Sequence, residues 1–299
     1  MENQNQSRAN YGLNSVALIC EFTSSVWTAR KLAKKETDEV VTHANAGAKG
    51  AARVTKNLLA GRPELEEIAS LVSEARNYVY SNTMPWSDSG QRLLPTTRFI
   101  KLDQRMGKYK EQFDAKVTAF VQLYPTLITA QAMALGDMFN RSEYPLASEI
   151  AHKFAMNCDY IPVPVAGDLR VDVGNEAQDD LRAKLEAMAE ARVSRAVSDI
   201  TERFTEHLKR MSERLVTDVD AVTGEPKPRR FTETLVSGAF DLCDLIADCN
   251  LTGDKKLAEA RIALEKTLAG ATTTSLREDP AKREDVRAAV SGILDKFSF

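Results

Sequence analysis

Apolar residues return at threes and fours through most of this chain. Between residues 176 and 216, Leu181, Leu185, Met188, Val193, Val197, Ile200, Phe204, Leu208, Met211 and Leu215 keep that spacing, with one slip near Ala191. The pattern predicts one long amphipathic helix, a rod of roughly 60 Å at 1.5 Å per residue. A helix of that length needs a partner along it, either the chain's other long helix or another subunit. Leu185, Val197, Phe204 and Leu208 are the candidate oligomerisation positions.

A second long helix is expected over residues 97–136, with Phe113, Val117, Phe120 and Val121 on its buried face and Pro125 kinking or restarting it. A third opens at Pro63, followed by Glu64, Glu66 and Glu67, and runs to about Tyr80 behind Leu65, Ile68, Leu71, Val72 and Ala75. Shorter helical stretches are expected after Glu36, over 51–60 and from Pro145. A break at 223–228 is followed by three more, over about 230–250, 254–269 and 280–297.

Period-two patterning is confined to two places. Residues 15–28 are rich in Val, Ile, Phe and Trp, and predict a strand or strand pair running into a helix at Ala29. Over residues 159–173, Ile161, Val163 and Val165 alternate with prolines, then Leu169, Val171 and Val173 alternate with Arg170 and Asp172. That is a hairpin, and Pro162 and Pro164 make its first arm an edge strand, because proline has no amide to donate. Residues 82–95, with two prolines and Ser-Asp-Ser-Gly, read as an ordered turn.

The expected fold class is therefore mostly α: an elongated multi-helix body with long antiparallel helices and a small β-hairpin or three-stranded sheet. Residues 1–14, rich in Asn, Gln and Ser, read as a disordered tail; 15–222 form a helical domain with the β element, and 223–299 a helical extension on the same body.

Composition narrows the function classes. The 299 residues are 43% hydrophobic and 28% charged, and 43 acids against 40 bases leave a net charge of −3. A nucleic-acid binder usually carries a basic excess, so nucleic acid is not indicated by net charge. Cys20, Cys158, Cys243 and Cys249 are too scattered for a disulfide framework and lack zinc spacing, which fits reduced thiols in a cytoplasmic compartment. Residues 117–136 hold no charge, yet Thr118, Gln122, Thr126 and Thr129 form a polar stripe. A helix buried between other helices accounts for that better than a membrane span.

No phosphate-binding glycine loop, metalloprotease motif or nucleophile elbow occurs. The Gly47–Gly50 run reads as a helix terminus, and Ser87, Asp88 and Ser89 as turn residues rather than a nucleophile. Asp241, Asp244 and Asp248 share one helix face. They could hold a hard cation, but a solvated acidic face fits better, and the same discount applies to Asp168 and Asp172. Arg76, Tyr80, Trp86 and Arg92 are the candidate interaction residues. Aromatics mixed with arginine can stack on single-stranded bases, but the pattern fits a turn pinned to a core better. Lys227, Arg229 and Arg230 read as a short basic, solvated loop. No catalytic residue, metal site or cofactor is expected.

Several blocks together resemble domain-of-unknown-function family 3150. They are Val26-Trp27 with Ala29-Arg30-Lys31-Leu32, the stretch 74–94 (EARNYVYSNTMPWSDSGQRLL), Tyr124-Pro125, Leu135-Gly136-Asp137-Met138-Phe139 and Tyr144-Pro145. Pro162-Val163-Pro164 and Gly167-Asp168-Leu169-Arg170-Val171-Asp172 complete the set, in family order, across about residues 15–220. Such proteins are encoded in phages, conjugative plasmids and integrative elements, often beside a MoxR-type AAA+ ATPase and a von Willebrand A-domain (VWA) protein. The resemblance implies a non-enzymatic component of an AAA+/VWA machine and carries over no catalytic residue. The expected function is a homo-oligomeric helical scaffold or adaptor; the alternative is a nucleic-acid-binding accessory protein of recombination or replication.

Overall fold

A computed structural model describes residues 13–48, 50–164, 175–219, 226–250 and 253–297, without the side chains of 175–179, 219 and 226–228. It is mostly α-helical, with small antiparallel β elements. After a helical turn at 13–16 (α1) comes β1 (Ala17–Ser25), where the β-prone segment was expected. Ala29 takes a left-handed φ of 52°, and the chain continues as β2 (Arg30–Leu32) instead of a helix. The exposed helix α2 (Lys34–His43) follows.

The helix expected over 51–60 does not form. Its centre is β3 (Thr55–Asn57), antiparallel to β2 with Lys31 opposite Lys56. The competing structure wins through specific partners. Thr37 Oγ1 accepts the Val54 amide at 3.0 Å. The buried Lys56 ammonium donates to the Met138 carbonyl at 2.9 Å and pairs with Glu143 at 2.6 Å. A short helix with a costly nucleus has nothing comparable to offer.

Helix α3 (Pro63–Asn82) starts on its proline as expected. The irregular segment after it is a tight hairpin. In it β4 (Met84–Pro85) pairs with β5 (Gln91–Pro95), Met84 opposite Leu93 and Pro85 opposite Arg92. Gly90 supplies the left-handed φ of 96° that the turn requires. The 39-residue α4 (Thr96–Ala134) contains Pro125. Beyond it lie α5 (Ala147–Ile150) and β6 (Ala155–Pro162). The strand order is β4-β5-β1-β6, so β6 is an edge strand among the described residues, as its proline predicted. The second arm of the expected 159–173 hairpin lies outside the described residues.

Two compact units arise, each from separated stretches: 21–81 with 101–159, and 1–20 with 82–100 and 160–299. In the first of these, α3 buries Leu65, Ile68, Leu71, Val72, Ala75 and Val79. Trp27 meets Tyr124 edge-on at 5.7 Å, and Phe120 meets Phe154 at 5.4 Å. Polar side chains fix the loops: Tyr144 Oη donates to the Leu58 carbonyl at 2.7 Å and Gln131 Nε2 to that of Ala60 at 3.0 Å. The uncharged 117–136 stretch is amphipathic rather than enclosed by helices. Tyr124, Leu127 and Ile128 are buried, while Gln122, Thr126 and Thr129 face outward with Leu123 and Met133. Among the described residues, no helix is long and apolar enough to cross a membrane.

The second unit is built around the 40-residue α6 (Asn175–Arg214). After the β7 (Thr217–Val219) and β8 (Pro226–Pro228) ribbon come α7 (Thr234–Cys249), α8 (Lys255–Leu268), α9 (Thr273–Glu278) and α10 (Pro280–Lys296). Helix α6 packs on α7, α10 and β4, and α8 packs on α7 and α10. Asp254 and Asp279 cap α8 and α10 through backbone amides. A Thr272–Ser275 capping box starts α9, a helix with too short an apolar period to be anticipated.

Candidate functional site

Helix α6 has two dissimilar halves. From Ala196 onward, Ile200, Phe204, Leu208, Met211 and Leu215 are fully buried in the core shared with α7, α8 and α10. Phe204 and Leu208 are thereby corrected as oligomerisation candidates: their partners are other helices of this chain. Val197 is half-buried. Nearer the start, Leu181 and Leu185 are likewise half-buried and Met188 is 48% exposed, so an apolar stripe continues past the point where the core ends.

The turn between β4 and β5 lies on this helix. Trp86 is 2% exposed and belongs to the core, with the Arg192 guanidinium 5.4 Å from its ring centre. Asp88 pairs with Arg195 at 2.6 Å. Arg92 is buried and donates from Nε to Thr83 Oγ1 and from Nη2 to the Thr83 carbonyl. A base needs an open ring face and a reachable guanidinium, and neither Trp86 nor Arg92 offers one. Arg76 and Tyr80 lie on α3. Arg76 is exposed, donating to Ser24 Oγ at 2.8 Å and lying 5.7 Å from the Phe22 ring; Tyr80 is 41% exposed. Trp86 and Arg92 share a buried hairpin, and Arg76 and Tyr80 share a helix face.

The remaining candidates are structural. Ser87 and Ser89 bond each other at 2.7 Å within the turn. Asp241 and Asp244 are exposed, whereas Asp248 accepts from Arg98 Nε at 2.7 Å. Among the described residues, no group of three His, Cys, Asp or Glu could hold a metal ion. Asp168 and Asp172 lie outside the described residues. Of the basic loop, Arg229 is taken up by Asp218, but Arg230 faces a cavity together with Arg210 and Arg214 of α6. Arg230 is separated from Arg210 and Arg214 by the β7–β8 ribbon, and only the i, i+3, i+7 spacing of His207, Arg210 and Arg214 hinted at a common face.

None of the four cysteines is in a disulfide among the described residues, and Cys20, Cys243 and Cys249 are buried. Burial pushes the Cys243 and Cys249 thiols up to about 12 from the usual 9.0. A disulfide-exchange reagent at pH 8 should therefore find one fast thiol, Cys158, and reach the others only in denaturant. Four fast thiols in the native protein would contradict the structure. Between pH 9 and 12 the folded state holds protons on Cys243 and Cys249 that the unfolded chain has released. Their contribution to stability is complete below the unfolded value and falls as pH rises through that window.

Comparison of the chain with family models, with curated proteins and with solved structures gave no match.

Proposed function

We propose that this chain is a non-enzymatic helical scaffold or adaptor that self-associates and serves a phage or mobile-element AAA+/VWA machine in the bacterial cytoplasm. The observation that carries the proposal is the division of α6. One half is locked into a core, and the other holds Leu181, Leu185 and Met188 at a water-accessible surface. Apolar residues at helical spacing on a rigidly anchored rod gain free energy by meeting a second apolar helix, at about 25 cal/mol for each Å² covered. The resemblance to family 3150 supplies the partner class: a MoxR-type ATPase and a VWA protein.

The test uses the outer half alone. Leu185→Asp with Met188→Asp should leave the helical circular dichroism unchanged and convert the oligomer to a monomer in light scattering. A wild-type monomer at tens of micromolar, or a double variant that keeps its mass, would remove α6 as the assembly element. Affinity purification from the native host should recover the ATPase and the VWA protein. Recovery of nucleic-acid enzymes or virion proteins in their place would overturn the adaptor reading.

A further inference from the structure

Arg210 and Arg214 of α6 meet Arg230, from the segment entering α7, around a half-open cavity of about 300 Å³. His207, Thr232 and Thr234 also line it, and among the described residues no carboxylate does. Several exposed or half-buried arginines elsewhere in this unit are answered by acids: Arg203 by Asp199, Arg229 by Asp218, Arg261 by Glu265 and Arg287 by Glu284. Among the described residues, no carboxylate lies at ion-pair distance from Arg210, Arg214 or Arg230. Three like charges gathered on one concavity repel each other, and an anion bound among them converts that repulsion into attraction.

The rest of the wall suits an anion as well. Thr232 and Thr234 place two hydroxyls 2.7 Å apart at the start of α7. Helix α7 starts here with Glu233 as N-cap and no side-chain cap, and Thr234 and Leu235 of its first turn line the cavity. His207 Nε2 stands 3.0 Å from the Leu235 carbonyl, which can only accept, so the ring donates from Nε2 and braces the wall. Burial, and secondarily Arg210, hold its pKa below the ordinary histidine range, so the ring adds no fourth charge at neutral pH. Gly238 allows this close approach: a Cβ there would stand 3.3 Å from His207 Cε1.

We propose that this cavity binds the phosphoryl group of a small phosphate ester or of inorganic phosphate. Three guanidinium forks offer more donors than the two oxygens of a carboxylate can accept, and match the three terminal oxygens of a phosphoryl dianion. A half-open cavity of about 300 Å³ suits a small ligand; a polymer backbone calls for a continuous groove. The inference rests on the cavity alone and is independent of the adaptor reading.

Isothermal titration of the full chain with inorganic phosphate, a nucleoside 5′-monophosphate and the unphosphorylated nucleoside tests it. Saturable binding is expected for one or both phosphates and none for the nucleoside. Equal affinities would identify the phosphoryl group as the whole ligand, and a tighter ester would show that the organic part is also held. Arg214→Gln and Arg230→Gln alter exposed side chains, so circular dichroism should stay unchanged while affinity drops about tenfold or more for each. Three outcomes would overturn the proposal: no saturable binding of either phosphate, variants that bind as wild type, or binding of a single-stranded oligonucleotide with neither small phosphate bound.

Discussion

Phe204→Ala should lower the free energy of unfolding by about 3–5 kcal/mol, while Leu185→Ala on the same helix should cost under about 1. Phe204 has no solvent exposure and sits in the core that α6 shares with α7, α8 and α10. Truncating it removes the transfer free energy of a ring and leaves a void that close-packed neighbours fill only in part. Leu185 is only half-buried and loses far less area. Urea unfolding at low protein concentration, where self-association does not contribute, measures both. Equal losses at the two positions would mean that the apolar stripe is buried along its whole length.

Arg283→Met should cost about 2–4 kcal/mol, although it replaces a charged side chain by an apolar one of similar length. Arg283 is 1% exposed. Its Nε and Nη2 donate to Thr217 Oγ1 at 3.1 and 2.9 Å, and its Nη1 to the carbonyls of Leu276 and Arg277 at 3.1 and 3.3 Å. Those carbonyls belong to α9, whose buried residue is Leu276. Methionine is apolar and leaves all three acceptors without this donor, and α9 and β7 lose their link. Chemical denaturation reads the loss, and amide exchange should show it concentrated in residues 273–279. A variant as stable as wild type would mean that the guanidinium's desolvation had cancelled its hydrogen bonds.

The long helices were legible because a 3.6-residue period sustained over many turns has no competing interpretation. The predicted spans of α3, α4, α6, α8 and α10 lie within a few residues of the observed ones. Period alone could not say what covers a stripe. Leu185 and Phe204 look alike in sequence, and only the return of α7 and α10 to α6 separates them. The misassigned 51–60 segment is short, and the contacts that make it a strand come from Thr37, Met138 and Glu143, far away along the chain. Trp86 and Arg92 are a turn pinned to a core, the plainer of the two interpretations their residue types allowed. The arginine cavity was not legible, because Arg230 is one residue beyond Arg229 and nothing in the sequence says which of the two an aspartate has claimed.

The stretches that make up the two units have a consequence for synthesis. Every residue of the unit formed by 21–81 and 101–159 has been synthesised before residues 160–299 of the other unit are translated. Its interior can close early, on pairs such as Tyr144 with Leu58. The other unit draws on both ends of the polypeptide: Ala17 and Ile19 share a core with Val290 and Ile293. That core waits for the last helix to emerge, and until then the inward faces of β1 and α6 stand open, the interval in which a nascent chain depends on chaperones.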